Sequence, residues 1–123
     1  MNPEPFLQLD RVIHEKGRLG IMSMLAASPR LSFTELRDTL NMTDGNITAH
    51  VRTLQEAGYV AVTKTFQGGR PLTTFALTDT GRAAFRAYIE LLGRIVAQTT
   101  EVTGVGPVKG PPVAKEQAPA GPL

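Results

Sequence analysis

A chain of 123 residues, 41% of them hydrophobic, can bury one real core, so a single fold is expected to carry the function. It has no cysteine, which removes disulfides, thiolate metal sites, cysteine nucleophiles and thiol redox sensing together. Thirteen Lys and Arg against eleven Asp and Glu leave a net charge of +2, too little to argue a nucleic-acid partner alone, so the placement of the charges must decide.

The opening MNPEPFLQLD lacks the basic start and apolar stretch of a secretion signal, and no apolar run approaches the roughly 18 residues of a membrane span. A soluble, cytoplasmic protein without a membrane partner is expected. Residues 6–27 place Phe6, Leu9, Val12, Ile13, Leu19, Ile21, Met22, Met24 and Leu25 at helical spacing, with Gly17 and Gly20 as weak points and Ser28-Pro29 as the stop. Ser32-Phe33-Thr34-Glu35 then reads as a capping box flanked by Leu31 and Leu36 as a hydrophobic staple, which starts a second helix. That helix is short. Asn41-Met42 lead into Thr43, a good N-cap, with Asp44 at the positive end of the next helix dipole.

The third helix buries Ile47, Val51 and Leu54 and stops at Gly58. Two runs rich in β-branched and aromatic residues, Tyr59 to Phe66 and Leu72 to Leu77, surround Gln67-Gly68-Gly69-Arg70-Pro71 and predict a β-hairpin. Thr78 caps a last helix lined by Phe85, Tyr88, Ile89, Leu91, Leu92, Ile95 and Val96. From residue 99 the composition turns to Pro and Gly without apolar period, which predicts a disordered, passive tail over residues 99–123 behind a single domain of residues 1–98. In the tail Lys109 and Lys115 offset Glu101 and Glu116, so the net positive charge belongs to the domain.

The fold class that follows is mainly α with a small β-hairpin, in the order α-α-α-β-β-α, the layout of a winged helix-turn-helix. In that layout the helix after the turn enters the major groove of DNA and the hairpin touches the flanking backbone. The residues support it. Opposite the buried face of the third helix lie Gly45, Ala49, Arg52 and Glu56, with Asn46 and Thr53 on one shoulder and Thr48 and His50 flanking the core. Small residues permit close approach, Asn46 suits bidentate adenine readout, and Thr48 can reach a base or a thymine methyl. An ordinary solvated face would more commonly carry Lys and Glu at four-residue spacing.

Base reading is therefore expected from Gly45, Asn46, Thr48 and Ala49. Phosphate or groove-edge contact is expected from Arg52, from His50, from Lys64, Gln67 and Arg70 on the hairpin, and from Ser32, Thr34 and Thr43 at helix starts. No acid lies between residues 57 and 78, and a glycine-tipped basic loop suits a phosphate or a narrow minor groove. Each has a plainer alternative: the glycines close a tight turn, Ser32 and Thr34 cap a helix, and His50 bonds the backbone.

Leu31 to Val62, LSFTELRDTLNMTDGNITAHVRTLQEAGYVAV, with the hairpin FQGGRPLTTFALTDTGR, resembles the MarR/ArsR-like winged-helix transcriptional regulators over about residues 10–98. The resemblance implies a dimer that uses its terminal helices for self-association and a DNA contact from Gly45 to Arg52. Ala49 departs from the arginine or other polar residue common in ArsR-type relatives, which implies lean direct readout. The cysteine sets of the metal-sensing relatives are absent. A homodimer also accounts for surplus apolar residues, expected to pair through Phe6, Leu9, Ile13, Tyr88, Leu91, Leu92 and Ile95.

Neither histidine has an obvious catalytic partner. His14-Glu15 begins like a zinc-protease motif, but position 18 is Arg rather than the second His. No enzymatic activity, metal or cofactor is expected, and the partners expected are double-stranded DNA and a second copy of the chain. A small-molecule effector is compatible with the sequence but not named by it. The rival reading is a winged helix that binds protein without DNA; it calls for apolar residues on the recognition face, which has almost none.

Overall fold

In the computed structural model, which describes residues 1–103, the elements are α1 (Glu4–Leu7), α2 (Lys16–Ala27), β1 (Leu31–Ser32), α3 (Phe33–Leu40), α4 (Asp44–Glu56), β2 (Val60–Gln67), β3 (Arg70–Leu77) and α5 (Asp79–Thr103). The single first helix expected over residues 6–27 is two. Between them Asp10 Oδ1 accepts from the amides of Val12 (2.8 Å) and Ile13 (3.4 Å). A short acid bonded to nearby amides offers the backbone an alternative to the helix. Glu15 then caps α2, its carboxylate accepting from the Arg18 amide at 2.8 Å, a bond that holds the Glu15 carboxyl below its ordinary pKa.

Gly17 and Gly20, expected as weak points, lie inside α2 as sites of close approach. A Cβ on Gly17 would sit 2.7 Å from His50 Nε2, and one on Gly20 would sit 3.1 Å from Leu40 Cδ2. The absence of side chains lets α3 and α4 settle on α2.

Contacts divide the chain into two compact units. Residues 9–90 form one, with a core of Leu9, Ile13, Ile21, Met22, Leu25, Leu36, Ile47, Val51, Leu54, Val60, Phe75 and Tyr88. Among the described residues, 1–8 and 91–103 form the other, where the Asn2 amide donates to Gln98 Oε1 at 2.8 Å.

The sheet has the order β1-β3-β2, all antiparallel. Its two-residue strand β1 was not foreseen: Leu31 pairs with Phe75 and Ser32 with Thr74, just before the α3 cap. The hairpin register runs from Val60 opposite Leu77 to Gln67 opposite Arg70, closed by Gly68 and Gly69 at φ 59° and 79°. Positive φ at both turn residues is the two-residue hairpin geometry that glycine adopts without strain.

At the base of the hairpin the Thr78 amide donates to the Tyr59 carbonyl (3.0 Å), its hydroxyl donates to the Gly58 carbonyl (2.5 Å), and the Gly81 amide donates to that hydroxyl oxygen (2.9 Å). Thr78 thus starts α5 and ties it to β2. The helix continues to Thr103, so residues 99–103 of the expected tail are helical, and the remainder of the tail lies outside the described residues.

Candidate nucleic-acid interface

Helix α3 opens with the capping box read from the sequence. Ser32 Oγ accepts from the Glu35 amide (3.1 Å) and Glu35 Oε1 accepts from the Ser32 amide (2.8 Å), while Thr34 is exposed in the first turn. Asn41 ends the helix in the left-handed region at φ 54°, a conformation Asn tolerates better than most residues. The reversal brings Thr43 to the start of α4, where its Oγ1 accepts from the Asn46 amide at 3.1 Å. Arg37 bridges the turn, donating to Asp38 and Asp44, each at 2.9 Å. That pairing offsets the carboxylate of Asp44, which would otherwise repel an anion at the N-terminus of α4.

Ile47, Val51 and Leu54 anchor α4, at 0%, 5% and 0% exposure. Full burial of such side chains is worth about 1.5–3 kcal/mol each, enough to hold the helix in one rotation. Gly45, Asn46, Thr48, Ala49 and Arg52 are consequently all exposed. A Cβ on Gly45 would meet nothing within 4 Å, so packing inside the chain does not require glycine there. Glycine within a helix costs about 0.5–1 kcal/mol relative to alanine, and what it leaves at this position is bare backbone facing outward.

His50, for which the sequence leaves a phosphate contact and a structural bond both open, has contacts within the chain. Its ring is half-buried against α2, with Nδ1 3.3 Å from Arg18 Nη1 and 3.7 Å from Glu15 Oε1, and Nε2 beside Gly17. Arg18 also donates through Nε to the Val12 carbonyl at 2.5 Å. Through these contacts the His50 ring packs α4 against α2.

The hairpin stands beside α4 and the two bound a cleft of about 340 Å³. Thr48, Val51, Arg52 and Gln55 line one wall, Val62, Lys64, Thr73 and Phe75 the other, with Phe33 from α3. The structure therefore brings Thr48, Arg52 and Lys64 together, and places Gln67 and Arg70 as an exposed pair at the hairpin tip. Gln55 and Thr73 were missed. Gln55 follows Thr48 and Arg52 at helical spacing on one face, and Thr73 is the partner of Lys64 when the strands are counted outward from the glycine turn.

Among the residues expected at a dimer interface, Leu9, Ile13 and Tyr88 are buried in the core of the chain itself, at 7%, 0% and 1% exposure. Tyr88 stacks on Phe85 and its hydroxyl lies 2.8 Å from His14 Nδ1; burial pushes its pKa up. Phe6 is exposed, and Leu91, Leu92 and Ile95 are half-buried. Among the described residues no cluster of three or more His, Asp or Glu could hold a metal ion, and no helix is long and apolar enough to cross a membrane.

Residues 18–96 match the model of the winged helix DNA-binding domain family. The chain belongs to that family. This winged helix is 34% identical over 79 residues to an uncharacterized protein of Methanocaldococcus jannaschii, covering 64% of the chain and 86% of that protein. Its fold is similar to that of a transcriptional regulator homologue from Pyrococcus horikoshii OT3, with a TM-score of 0.73 and 25% identity over 80% of this chain and 98% of that one. A putative transcriptional regulator of the MarR family from Enterococcus faecalis V583 superimposes with a TM-score of 0.62 and 26% identity, over 74% of this chain and 84% of that one. The transcriptional repressor CouR, solved bound to a 23-mer DNA duplex, gives a TM-score of 0.63 and 26% identity over 76% and 66% of the two chains. The winged helix described here is thus mainly helical with a small antiparallel sheet, of the type found in MarR-family regulators.

Proposed function

We propose that the protein is a homodimeric transcriptional regulator that binds specific sequences in double-stranded DNA, with α4 in the major groove and the hairpin on the flanking backbone or minor groove. The observation that carries this reading is the cleft that α4 and the hairpin bound together. Arg52 and Lys64 converge on one cleft beside an exposed helix face made of Gly45, Asn46, Thr48 and Ala49. Cations at the edge of a narrow, small-residue ridge suit a phosphate backbone flanking a groove. CouR, of the same fold, binds a duplex, which supports the same use here.

In this reading Asn46 and Thr48 read bases, and Gly45 and Ala49 let the helix approach. Arg52, Lys64, Gln67 and Arg70 meet phosphates or groove edges, helped by the helix starts at Ser32, Thr34 and Thr43. Selection of duplexes from a random-sequence pool by the purified protein tests the function. A recovered two-fold motif with half-sites about one helical turn apart is expected. Failure to retain any duplex at low salt would overturn the reading in favour of a protein-binding winged helix.

A further inference from the structure

Large exposed apolar side chains among the described residues fall into two groups. Met1, Phe6, Leu7, Ile89 and Val96 lie near the N-terminus or on α5, the elements proposed for self-association. Phe66 stands apart, 76% exposed near the tip of the hairpin.

Side chains two apart on a strand share a face. Val62, Lys64 and Phe66 therefore follow one another along one face of β2, opposite Phe75, Thr73 and Pro71 of β3. The first two of these cross-strand pairs line the cleft with Thr48 and Arg52 of α4. Phe66 and Pro71 carry the same face outward past the cleft. The six residue steps from Val60 to Phe66, at about 3.3 Å each, span roughly 20 Å. That exceeds half of the roughly 34 Å repeat of the duplex, so a hairpin rooted beside a helix in the major groove reaches across a phosphate ridge to the adjoining minor groove. A two-residue Gly68-Gly69 turn closes the hairpin, and Pro71, with its fixed φ, stands opposite the ring. The charge of the hairpin also suits DNA: Lys64 shares the face of Phe66, Arg70 stands at the tip on the opposite face, and no acid lies between residues 57 and 78.

We propose that Phe66 is an apolar wedge that enters the minor groove, partly unstacks one base step and bends the bound duplex. Apolar side chains inserted in this way kink DNA toward the major groove, and pyrimidine–purine steps yield most readily. Phe66 thereby adds a preference for such a step in the flanks, at a position where the protein makes no base hydrogen bond. This rests on the DNA-binding reading above.

The test uses the full chain and a selected duplex carrying a donor–acceptor dye pair at its ends and 2-aminopurine at the flanking step. Wild type is expected to shorten the end-to-end distance and brighten the 2-aminopurine. Phe66→Ala should lose both signals and weaken the selected site about tenfold, the scale of a lost deformation contact. Phe66→Leu should keep part of each. Because the ring is exposed, the melting temperature of Phe66→Ala should match wild type, and its binding to random duplex at low salt should persist. Equal bending and equal site preference by wild type and Phe66→Ala would overturn the wedge while leaving the DNA-binding reading intact. A change in self-association without DNA, with bending unaltered, would assign the ring to a protein contact and overturn it too. A wild type that binds no duplex overturns both.

Discussion

Asn46 and Arg52 are exposed on the same helix, and the proposed function gives them different physical tasks. A base contact carries sequence information, whereas a phosphate contact adds the same electrostatic stabilisation on any duplex. Replacing Asn46 with Ala is expected to cost about 1–3 kcal/mol on the selected site and little on random DNA. Arg52→Ala and Lys64→Ala should instead weaken both alike and reduce the salt slope by about one per subunit. Salt titrations of binding anisotropy on the two duplexes measure this, and equal losses for Asn46→Ala would remove Asn46 from the groove. A second single-residue test concerns Tyr59, whose hydroxyl donates to Asp10 and whose pKa is pushed up to about 12, chiefly by that bond and then by burial. An unfolded tyrosine titrates near pH 10, so the native state keeps its proton longer. The contribution to stability is complete below pH 10 and is lost as pH rises from about 10 to 12. Burial raises Tyr88 in the same direction. Tyr59→Phe should cost about 1 kcal/mol at neutral pH and flatten the alkaline decline in urea-unfolding free energy; an unaltered decline would show that the bond to Asp10 does not form in solution.

Where elements meet, glycine at two positions serves opposite ends. At the start of α5 a Cβ on Gly81 would lie 2.1 Å from the Tyr59 carbonyl oxygen, a backbone atom that no rotamer change can move. Gly81→Ala is therefore expected to force α5 off the base of the hairpin and to cost about 1–3 kcal/mol or more. Gly45 has open space where its Cβ would be, so Gly45→Ala should raise stability by about 0.5–1 kcal/mol. On DNA the sign should reverse, since the added methyl stands on the face proposed to approach the bases. Thermal melts beside binding curves check both, and a Gly45→Ala variant gaining stability with unchanged DNA affinity would place the groove contact elsewhere. The sequence singled out Gly45 as a small residue on the outward face and did not single out Gly81. A turn-and-cap string such as LTDTGR announces a helix start, but only the packed structure places the Tyr59 carbonyl against it.

At the scale of the whole molecule the question is what covers α5. Ile89, Leu92 and Val96 fall at helical spacing along it, with Ile89 and Val96 48% and 37% exposed and Leu92 half-buried. Such a stripe is the kind of surface a second subunit covers. Sedimentation velocity at micromolar concentration should find a dimer for wild type and a monomer for Ile89→Asp combined with Val96→Asp, with the helical circular dichroism retained. Losing the second recognition helix should then weaken binding to the two-fold site by about a hundredfold or more, the scale of lost bivalency. A monomeric wild type would overturn the dimer.

The amino-acid sequence by itself determined the helix–turn–helix, its caps, the hairpin and the buried Ile47, Val51 and Leu54, because each depends on near neighbours: a serine three residues before a glutamate, paired glycines between β-branched runs, apolar residues at helical spacing. From that anchored face the exposed Asn46, Thr48 and Arg52 follow by rotation about the helix axis. Only the tertiary structure decided which long-range partner each remaining group finds. It turned His50 onto Arg18 and Gly17, added β1 beside β3, and drew Leu9, Ile13 and Tyr88 into the core of one chain. Apolar periodicity says that a side chain will leave water. Whether its own chain or a second copy receives it depends on the space left once distant elements have packed, and that space has no local signature.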